Sequence, residues 1–146
     1  MIPPFQENGA LPPGEHRADW DEVVARFGWS PKRRRLLESL RRACLQLRKG
    51  GVKRLFLNGS FVTSKEAPND YDACWPGDEL EDAIQVDPVL FDCSAARAAM
   101  KKKYGGEMFV AEWDANGLGQ PFRRFFQFTR DGEEKGIVVL RLETVA

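Results

Sequence analysis

The longest regular pattern in this 146-residue chain is an amphipathic helix between Ser30 and Gly50. Ser30 is a favourable N-cap and Pro31 takes the first helical position, while the Gly50-Gly51 pair ends the helix. Apolar residues recur inside it at helical spacing and form one stripe: Leu36, Leu37, Leu40, Ala43, Cys44 and Leu47. A stripe of this length predicts a helix that packs on a core, with arginines on its other face.

Runs of β-branched and aromatic residues after this helix predict a sheet. The clearest are residues 52–58 (VKRLFLN) and 70–75 (DYDACW), and residues 88–92 (PVLFD) form either a third strand or an irregular buried segment. The segments RRFFQFT and GIVVLRLE, joined around Asp131-Gly132, predict a C-terminal hairpin.

Two further helices are predicted, one from the Asp19 cap to Phe27 and one from Ser94 to about Tyr104. This order of elements favours an α+β domain over residues 18–146, with helices packed against one sheet. Residues 1–17 are rich in proline and glycine and predict an extended arm without a regular element.

Composition argues against several classes of protein. The three cysteines show no CxxC spacing, so a disulfide framework or a structural zinc site is not expected. The single histidine, His16, has no evident partner for a Ser-His or Cys-His nucleophile. No apolar run approaches the roughly 20 residues of a membrane span, and no secretory signal pattern opens the chain. We therefore expect a cytoplasmic protein without membrane contact.

Charge is balanced overall but segregated along the chain. The formal net charge is zero, yet residues 32–54 contain ten Lys and Arg and only one acid, and residues 66–96 contain nine acids and no base. The basic helix face is either a solvated surface or a phosphate-binding one. The segregation suits internal ion pairs, or a site that binds an anion together with a metal.

The segment LNGSFVTSKEAPNDYDACW, residues 57–75, carries the strongest chemical signal. Asp70 and Asp72 share one face of a strand, with Cα atoms roughly 6–7 Å apart, so both can reach one magnesium or manganese ion. Gly59 permits close approach of a phosphate to the backbone, and Ser60 can hydrogen-bond that phosphate. The alternative is an exposed edge strand on which the two acids have no function.

The Gly-Ser turn is not a P-loop, because the chain lacks both the Walker pattern and GxGxxG. A Gly-Ser turn followed by Asp-x-Asp on the next strand resembles the polymerase-β-like nucleotidyltransferase superfamily. LPPGEH, ARFG, KKKYGGEMF, FFQF and KGIVVL extend the likeness to a bacterial family of small, stand-alone nucleotidyltransferase-like proteins. The resemblance implies a polymerase-β-like core with a small mixed sheet, phosphate contacts from Gly59 and Ser60, and magnesium ligands at Asp70 and Asp72.

Catalytic members of that superfamily usually add a third carboxylate on a later strand, where it helps to activate the attacking hydroxyl. The candidates are Asp92, Glu107 and Glu112, and Asp92 is preferred because it leaves an apolar run. Asp92 can equally cap the helix that follows. Lys65 either meets a nucleotide phosphate or lies in an exposed loop.

These residues favour a metal-dependent nucleotidyltransferase that moves a nucleoside monophosphate from an NTP to a hydroxyl of RNA, protein or a small molecule. The alternative is a catalytically weak binding module with a protein partner, such as one half of a toxin–antitoxin or phage-defence pair. A third reading is an RNA-binding protein without nucleotide chemistry, whose binding should depend strongly on salt.

Overall fold

The computed structural model covers residues 1–146 and contains five strands, β1 (Gly14–Ala18), β2 (Arg54–Asn58), β3 (Tyr71–Trp75), β4 (Gly106–Val110) and β5 (Gly136–Arg141). They form one sheet in the order β1-β5-β2-β3-β4. β1 is parallel to β5 and β3 is parallel to β4, whereas β2 runs antiparallel to both of its neighbours. The predicted α+β class with a mixed sheet is confirmed.

Four helices accompany the sheet: α1 (Trp20–Phe27), α2 (Pro31–Lys49), α3 (Ser94–Tyr104) and α4 (Phe122–Phe125). The predicted caps of the first two helices form, because the Asp19 carboxylate accepts a hydrogen bond from the amide of Glu22 and the Ser30 hydroxyl accepts one from the amide of Arg33. None of the helices combines the length and apolar character that crossing a bilayer requires.

The two faces of the sheet are covered differently. On one face, the apolar stripe of α2 packs with α1, α3 and strand residues such as Leu57, Tyr71 and Ala73 in a cluster of 29 buried residues. Because side chains alternate along a strand, Phe56 and Cys74 point to the other face, where they join a smaller cluster of six buried residues. The large core therefore lies on the helical side, and part of the second face stays open for a site.

The N-terminal segment departs from the prediction of an arm without regular structure. Residues 14–18 form edge strand β1, paired in parallel with β5 from Gly14 opposite Gly136 to Ala18 opposite Leu140. Ile2 and Leu11 are also buried in the main core. The pairing joins segments more than a hundred residues apart, so local proline and glycine content did not reveal it.

The predicted C-terminal hairpin is wrong. Residues Phe122–Phe125 form a short helix, and the neighbours of β5 are β1 and β2. Phe122 and Phe126, one helical turn apart, pack against the Phe109 ring with centroid distances of 4.2 and 5.7 Å. This aromatic contact stabilises a helical turn where the local run of phenylalanines suggested a strand.

The structure also settles the conformation of two segments between β3 and β4 that the sequence left open or defined only approximately. Residues Pro88–Phe91 form a 3-10 turn, which is the irregular alternative. α3 has the predicted bounds, but Ala95, Ala96 and Arg97 have φ between 50° and 62°, in the left-handed region. The right-handed part of α3 therefore begins after Arg97.

A buried arginine connects the helices to the Gly-Ser turn. The Arg33 side chain is fully buried and donates hydrogen bonds to the carbonyl oxygens of Phe61, Thr63 and Lys65 at 2.7–2.8 Å. It also donates to the carbonyl of Phe27 at the end of α1, at 3.2 Å. Burial lowers the pKa of Arg33 to about 10, so the guanidinium remains charged at neutral pH. One side chain thus holds the whole loop that follows the turn.

We predict that Arg33→Met lowers the free energy of unfolding by at least about 3 kcal/mol, because several buried carbonyl groups lose a charged donor. The free energy of unfolding of Arg33→Lys should lie between those of Arg33→Met and the parent, because an ammonium keeps the charge but cannot reproduce the paired donors of the guanidinium. Chemical denaturation followed by circular dichroism measures both. The neighbouring Arg34→Met removes one exposed hydrogen bond to Gly28 and is the control. Equal midpoints for Arg33→Met and Arg34→Met would contradict the assignment.

Candidate functional site

The predicted Gly-Ser turn forms directly after β2. Gly59 has φ 85°, a conformation that residues with a Cβ rarely adopt, and Ser60 opens a 3-10 turn through Val62. A Cβ at Gly59 would lie 3.0 Å from Oδ2 of Asp72 and 3.3 Å from its backbone nitrogen. Glycine is therefore required on two counts, and the turn lies against the second of the two predicted aspartates.

Register places Asp72 in a polar row on the second face of the sheet. Asp72 pairs with Asn58 of β2 on one side and with Glu107 of β4 on the other. Side chains at paired positions point to the same face, so these three residues are neighbours across three strands. Asp70 lies two residues before Asp72, just ahead of β3. The structure brings together the turn, the aspartate pair and one further carboxylate.

Negative charge is concentrated at Asp72. Burial, together with the nearby charges of Asp70 and Glu107, raises the pKa of its carboxyl to about 6. Lys135 and Lys101 oppose that shift, and burial lowers the pKa of Lys135 itself. Lys101 also pairs with Glu107 at 2.9 Å. The site is thus an acidic cluster with two lysines beside it, at which a further cation would be favourable.

A cleft of about 880 Å³ opens over Asn58 and Asp72. Its remaining lining comes from Lys135 and from the segment that follows β4, which contributes Gln120, Phe125, Phe126, Phe128, Thr129, Arg130 and Gly132. Oδ1 of Asn58 is buried without a hydrogen-bond partner, which leaves one acceptor unsatisfied on the floor of the cleft. The cleft therefore combines one carboxylate, two cations and three aromatic rings, and one acceptor on its floor has no hydrogen-bond partner.

Asp92 is not placed with Asp72 by the sheet register. Its carboxylate accepts hydrogen bonds from the amide and hydroxyl of Ser94, at 2.9 and 2.5 Å, and those bonds lower its pKa. These bonds form a local turn ahead of α3, whose N-cap residue is Cys93 without a side-chain capping bond, so Asp92 does not cap the helix. Glu107, a weaker candidate by sequence context, is the acid beside Asp72. The segment around it was ambiguous by sequence, and parallel pairing of β4 with β3 decides its position.

Lys65 lies in an exposed part of the loop, and its backbone carbonyl accepts a hydrogen bond from Arg33. The cations whose charges act on Asp72 are instead Lys135 and Lys101. Sequence reasoning missed Lys135 and Asn58. The only signal for Asn58 was its place as a polar residue at the end of an apolar strand. Nothing in the sequence around Lys135, a single lysine before β5, marked it as a site residue.

The fit of this site to magnesium depends on two carboxylates. No group of three or more His, Cys, Asp and Glu side chains is arranged to hold a metal ion. Magnesium commonly uses only one or two protein carboxylates, together with water and substrate phosphates. Asp70 and Asp72, with the unsatisfied Oδ1 of Asn58 beside them, fit that kind of site.

We predict that Asp72→Asn stabilises the protein without divalent cations at pH 7, by about 2 kcal/mol. The native carboxyl has a pKa near 6 against an ordinary value of 3.8. The native state therefore binds more protons than the unfolded state between those values, and stability falls as pH rises through that window.

Urea denaturation at pH 4 and at pH 7 measures the effect, and most of the gain should be lost at pH 4, where the native carboxyl is protonated and the unfolded one is partly protonated. Asp78→Asn, at an exposed acid, is the control and should change stability by less than about 0.5 kcal/mol. A loss of stability at pH 7 in Asp72→Asn would contradict the predicted repulsion.

Comparison with known proteins yields one family. No curated protein and no solved structure shows significant similarity to the chain. A family model described as a family of unknown function, DUF6932, matches residues 3–141. The match includes the Gly-Ser turn and the aspartate pair and leaves out only the first two and the last five residues. The chain therefore belongs to the DUF6932 family.

Proposed function

We propose that the protein is a metal-dependent nucleotidyltransferase with a polymerase-β-like core, which transfers a nucleoside monophosphate from an NTP to a hydroxyl acceptor. The observation that carries the proposal is the contact between Gly59 and Asp72. A turn suited to phosphate stands against a carboxylate whose environment already holds too much negative charge. A triphosphate with its divalent cation brings the two groups of opposite charge that this arrangement lacks.

The phosphate end of the nucleotide is assigned to the turn and the lysines. The Ser60 side chain is partly exposed beside Gly59, so its hydroxyl is available to donate to a phosphate oxygen. Lys135 and Arg130 line the same cleft and supply positive charge to the remaining phosphates. Phe125 and Phe128 form an apolar wall against which a base can pack.

Asp70 and Asp72 would hold magnesium, or manganese in its place. When bound, the ion would neutralise the carboxylates and polarise the phosphate under attack. The contribution of the chain itself is to fix the two carboxylates on one strand, beside a turn that cannot shift without moving the loop held by Arg33.

The proposed transfer is an in-line displacement at the α-phosphorus. The acceptor oxygen forms a bond to phosphorus while the bond from phosphorus to the bridging oxygen breaks. Pyrophosphate leaves with that electron pair. The acceptor hydroxyl gives its proton to a carboxylate, and Glu107 is the candidate because it lies next to Asp72 in the β3–β4 register.

A second candidate function is a nucleotide-binding module with weak catalysis, such as one half of a toxin–antitoxin or phage-defence pair. The observation that favours it is the ion pair between Glu107 and Lys101, together with the lack of a three-acid group arranged for a metal. If Glu107 remains paired with Lys101 when nucleotide is bound, the proton acceptor is missing and turnover is slow.

The discriminating experiment incubates the protein with each α-labelled NTP, magnesium or manganese, and either cell extract or tRNA. We expect label transfer by the parent and a loss of at least about a hundredfold in Asp70→Asn/Asp72→Asn, because both proposed metal ligands are lost. Asp78→Asn/Asp82→Asn, two exposed acids outside the cleft, is the matched control. If the protein binds nucleotide in a metal-dependent way but transfers no label with cell extract or with tRNA, the enzyme proposal is overturned and the binding module remains.

A separate prediction concerns the third carboxylate. Glu107→Gln should lower the transfer rate by about 10²–10⁴-fold, the usual contribution of a general base, with little effect on nucleotide affinity. Asp92→Asn should leave the rate within a factor of two or so, because its contacts are to Ser94 alone. Rates measured at saturating NTP decide between them. The reverse ranking would return the third role to Asp92.

A further inference from the structure

A second cleft, of about 680 Å³, lies on the same sheet face as Asp72 but at the opposite ends of the strands. Its six basic side chains come from five separate parts of the chain: Arg17, Arg48, Lys53, Arg54, Arg123 and Arg141. Three acids share the lining, so the cleft has a surplus of three positive charges in a chain whose net charge is zero. Three of these cations lie in the basic run of residues 32–54, and folding brings Arg17, Arg123 and Arg141 to them.

Two of these cations have no partner within the chain. Arg17 and Lys53 are exposed and take part in none of the ion pairs. The cleft acid Glu15 is already paired with Arg123, through two hydrogen bonds of 2.6 and 2.7 Å. The hydrogen bond from Arg123 and, more weakly, the charge of Arg17 lower the pKa of Glu15. No ion pair joins Glu15 to Arg17 or Lys53, so both cations can still contact an external anion.

The sheet also brings like charges together here. Arg54 and Arg141 stand directly opposite each other in the β2–β5 ladder, an arrangement that destabilises a sheet. Arg54 is balanced by Glu79 at 3.0 Å, whereas Arg141 has only an exposed Glu143 at 3.8 Å. An anion bound between the strands would relieve this repulsion.

The spacing of the cations points to an extended anion. β1 and β2 flank β5, so the strands that carry Arg17 and Arg54 are about 10 Å apart. A single phosphate carries at most two negative charges and cannot neutralise all six cations, whereas successive phosphates of one chain can. Only two of the twelve lining residues are hydrophobic, and none is aromatic, so the cleft offers no surface on which bases could stack.

We infer that this basic cleft binds the phosphate backbone of a single-stranded nucleic acid, and that this strand supplies the acceptor hydroxyl. The second half of the inference rests on the proposed function. Arg54 is four residues from Asn58 along β2, about 13 Å, a distance that a few nucleotides of a flexible strand cover. Contacts with phosphates and not bases make the binding independent of sequence.

The basic face of α2, which the sequence left open as either a solvated or a phosphate-binding surface, has several of its arginines engaged within the chain. Arg33 is buried in the core and Arg41 is paired with Glu38. Arg42 donates to the backbone carbonyl of Lys103. Of the arginines on this helix, only Arg48, near its end, lines the basic cleft.

Fluorescence anisotropy with labelled oligouridylate and oligothymidylate tests the inference between about 50 and 200 mM salt. We expect Arg17→Ala/Lys53→Ala to lower the salt slope by about 1.4, since each contact with a single strand contributes about 0.7. At about 0.1 M salt the affinity should fall on the order of 20-fold. Weaker binding of either oligonucleotide by the variant supports the site. The oligonucleotide that the parent binds more tightly shows whether the strand is RNA or DNA.

Arg35→Ala/Lys49→Ala is the matched control, because it removes two exposed cations of α2 that lie outside the cleft. An equal loss in the control, or no oligonucleotide binding by the parent, would overturn the site. Displacement of the oligonucleotide by polyglutamate or tripolyphosphate at equal charge would also overturn the site, since the ligand would then be an acidic peptide or a small anion.

The transfer assay separates this inference from the proposed function. One outcome is oligonucleotide binding that depends on Arg17 and Lys53 but no label transfer to any acceptor. The cleft would then be a nucleic-acid site, and the inference that the bound strand supplies the acceptor hydroxyl would be overturned. Label transfer to a protein or small molecule, without oligonucleotide binding, retains the nucleotidyltransferase and overturns the cleft.

Discussion

The arrangement of the candidate site depends on the hydrogen bonds of the buried Arg33 guanidinium. Its donors satisfy carbonyl groups at the end of α1 and throughout the loop after the Gly-Ser turn. The guanidinium also stacks on the Trp29 ring, 3.6 Å from the ring centroid. A buried charge is costly unless its donors find acceptors. The two terminal nitrogens of Arg33 bond to carbonyls of α1 and of the loop, while Nε has no partner, so the loop and the arginine constrain each other. The β2–β3 pairing of Asn58 with Asp72 brings Gly59 against Asp72, and Arg33 fixes the loop that continues from there.

The second face of the sheet separates charge in a way that suits two anionic groups at two places. At one end, Asp72 and Glu107 gather negative charge that a cation and its phosphates would balance. At the other end, Arg17, Arg54 and Arg141 gather positive charge. The ion pair between Arg123 and Glu15 belongs to the lining of this basic end. Such a face suits the proposed nucleic-acid strand, which would bind along the basic end and place its terminal hydroxyl at the acidic end.

Local signals predicted the elements whose stability is local. The caps at Asp19 and Ser30 and the stripe of α2 follow from hydrogen bonds and periodicity within a few residues. The Gly-Ser turn likewise forms where Gly59 permits it. The signals failed for β1, whose strand geometry depends on pairing with β5, and for α4, whose phenylalanines pack on Phe109.

The sequence by itself determined the α+β class, the long helix and the pairing of a Gly-Ser turn with two aspartates, because short-range spacing encodes each of these. Tertiary structure alone decided that Glu107 and not Asp92 stands beside Asp72, because strand register is a contact between distant segments. It also decided where the positive charge is concentrated. Arg33 is removed into the core, while Arg17, Lys53 and Arg141 meet at one end of the sheet. The physical reason is that charge acts through space, and position along the chain does not set distance in the fold.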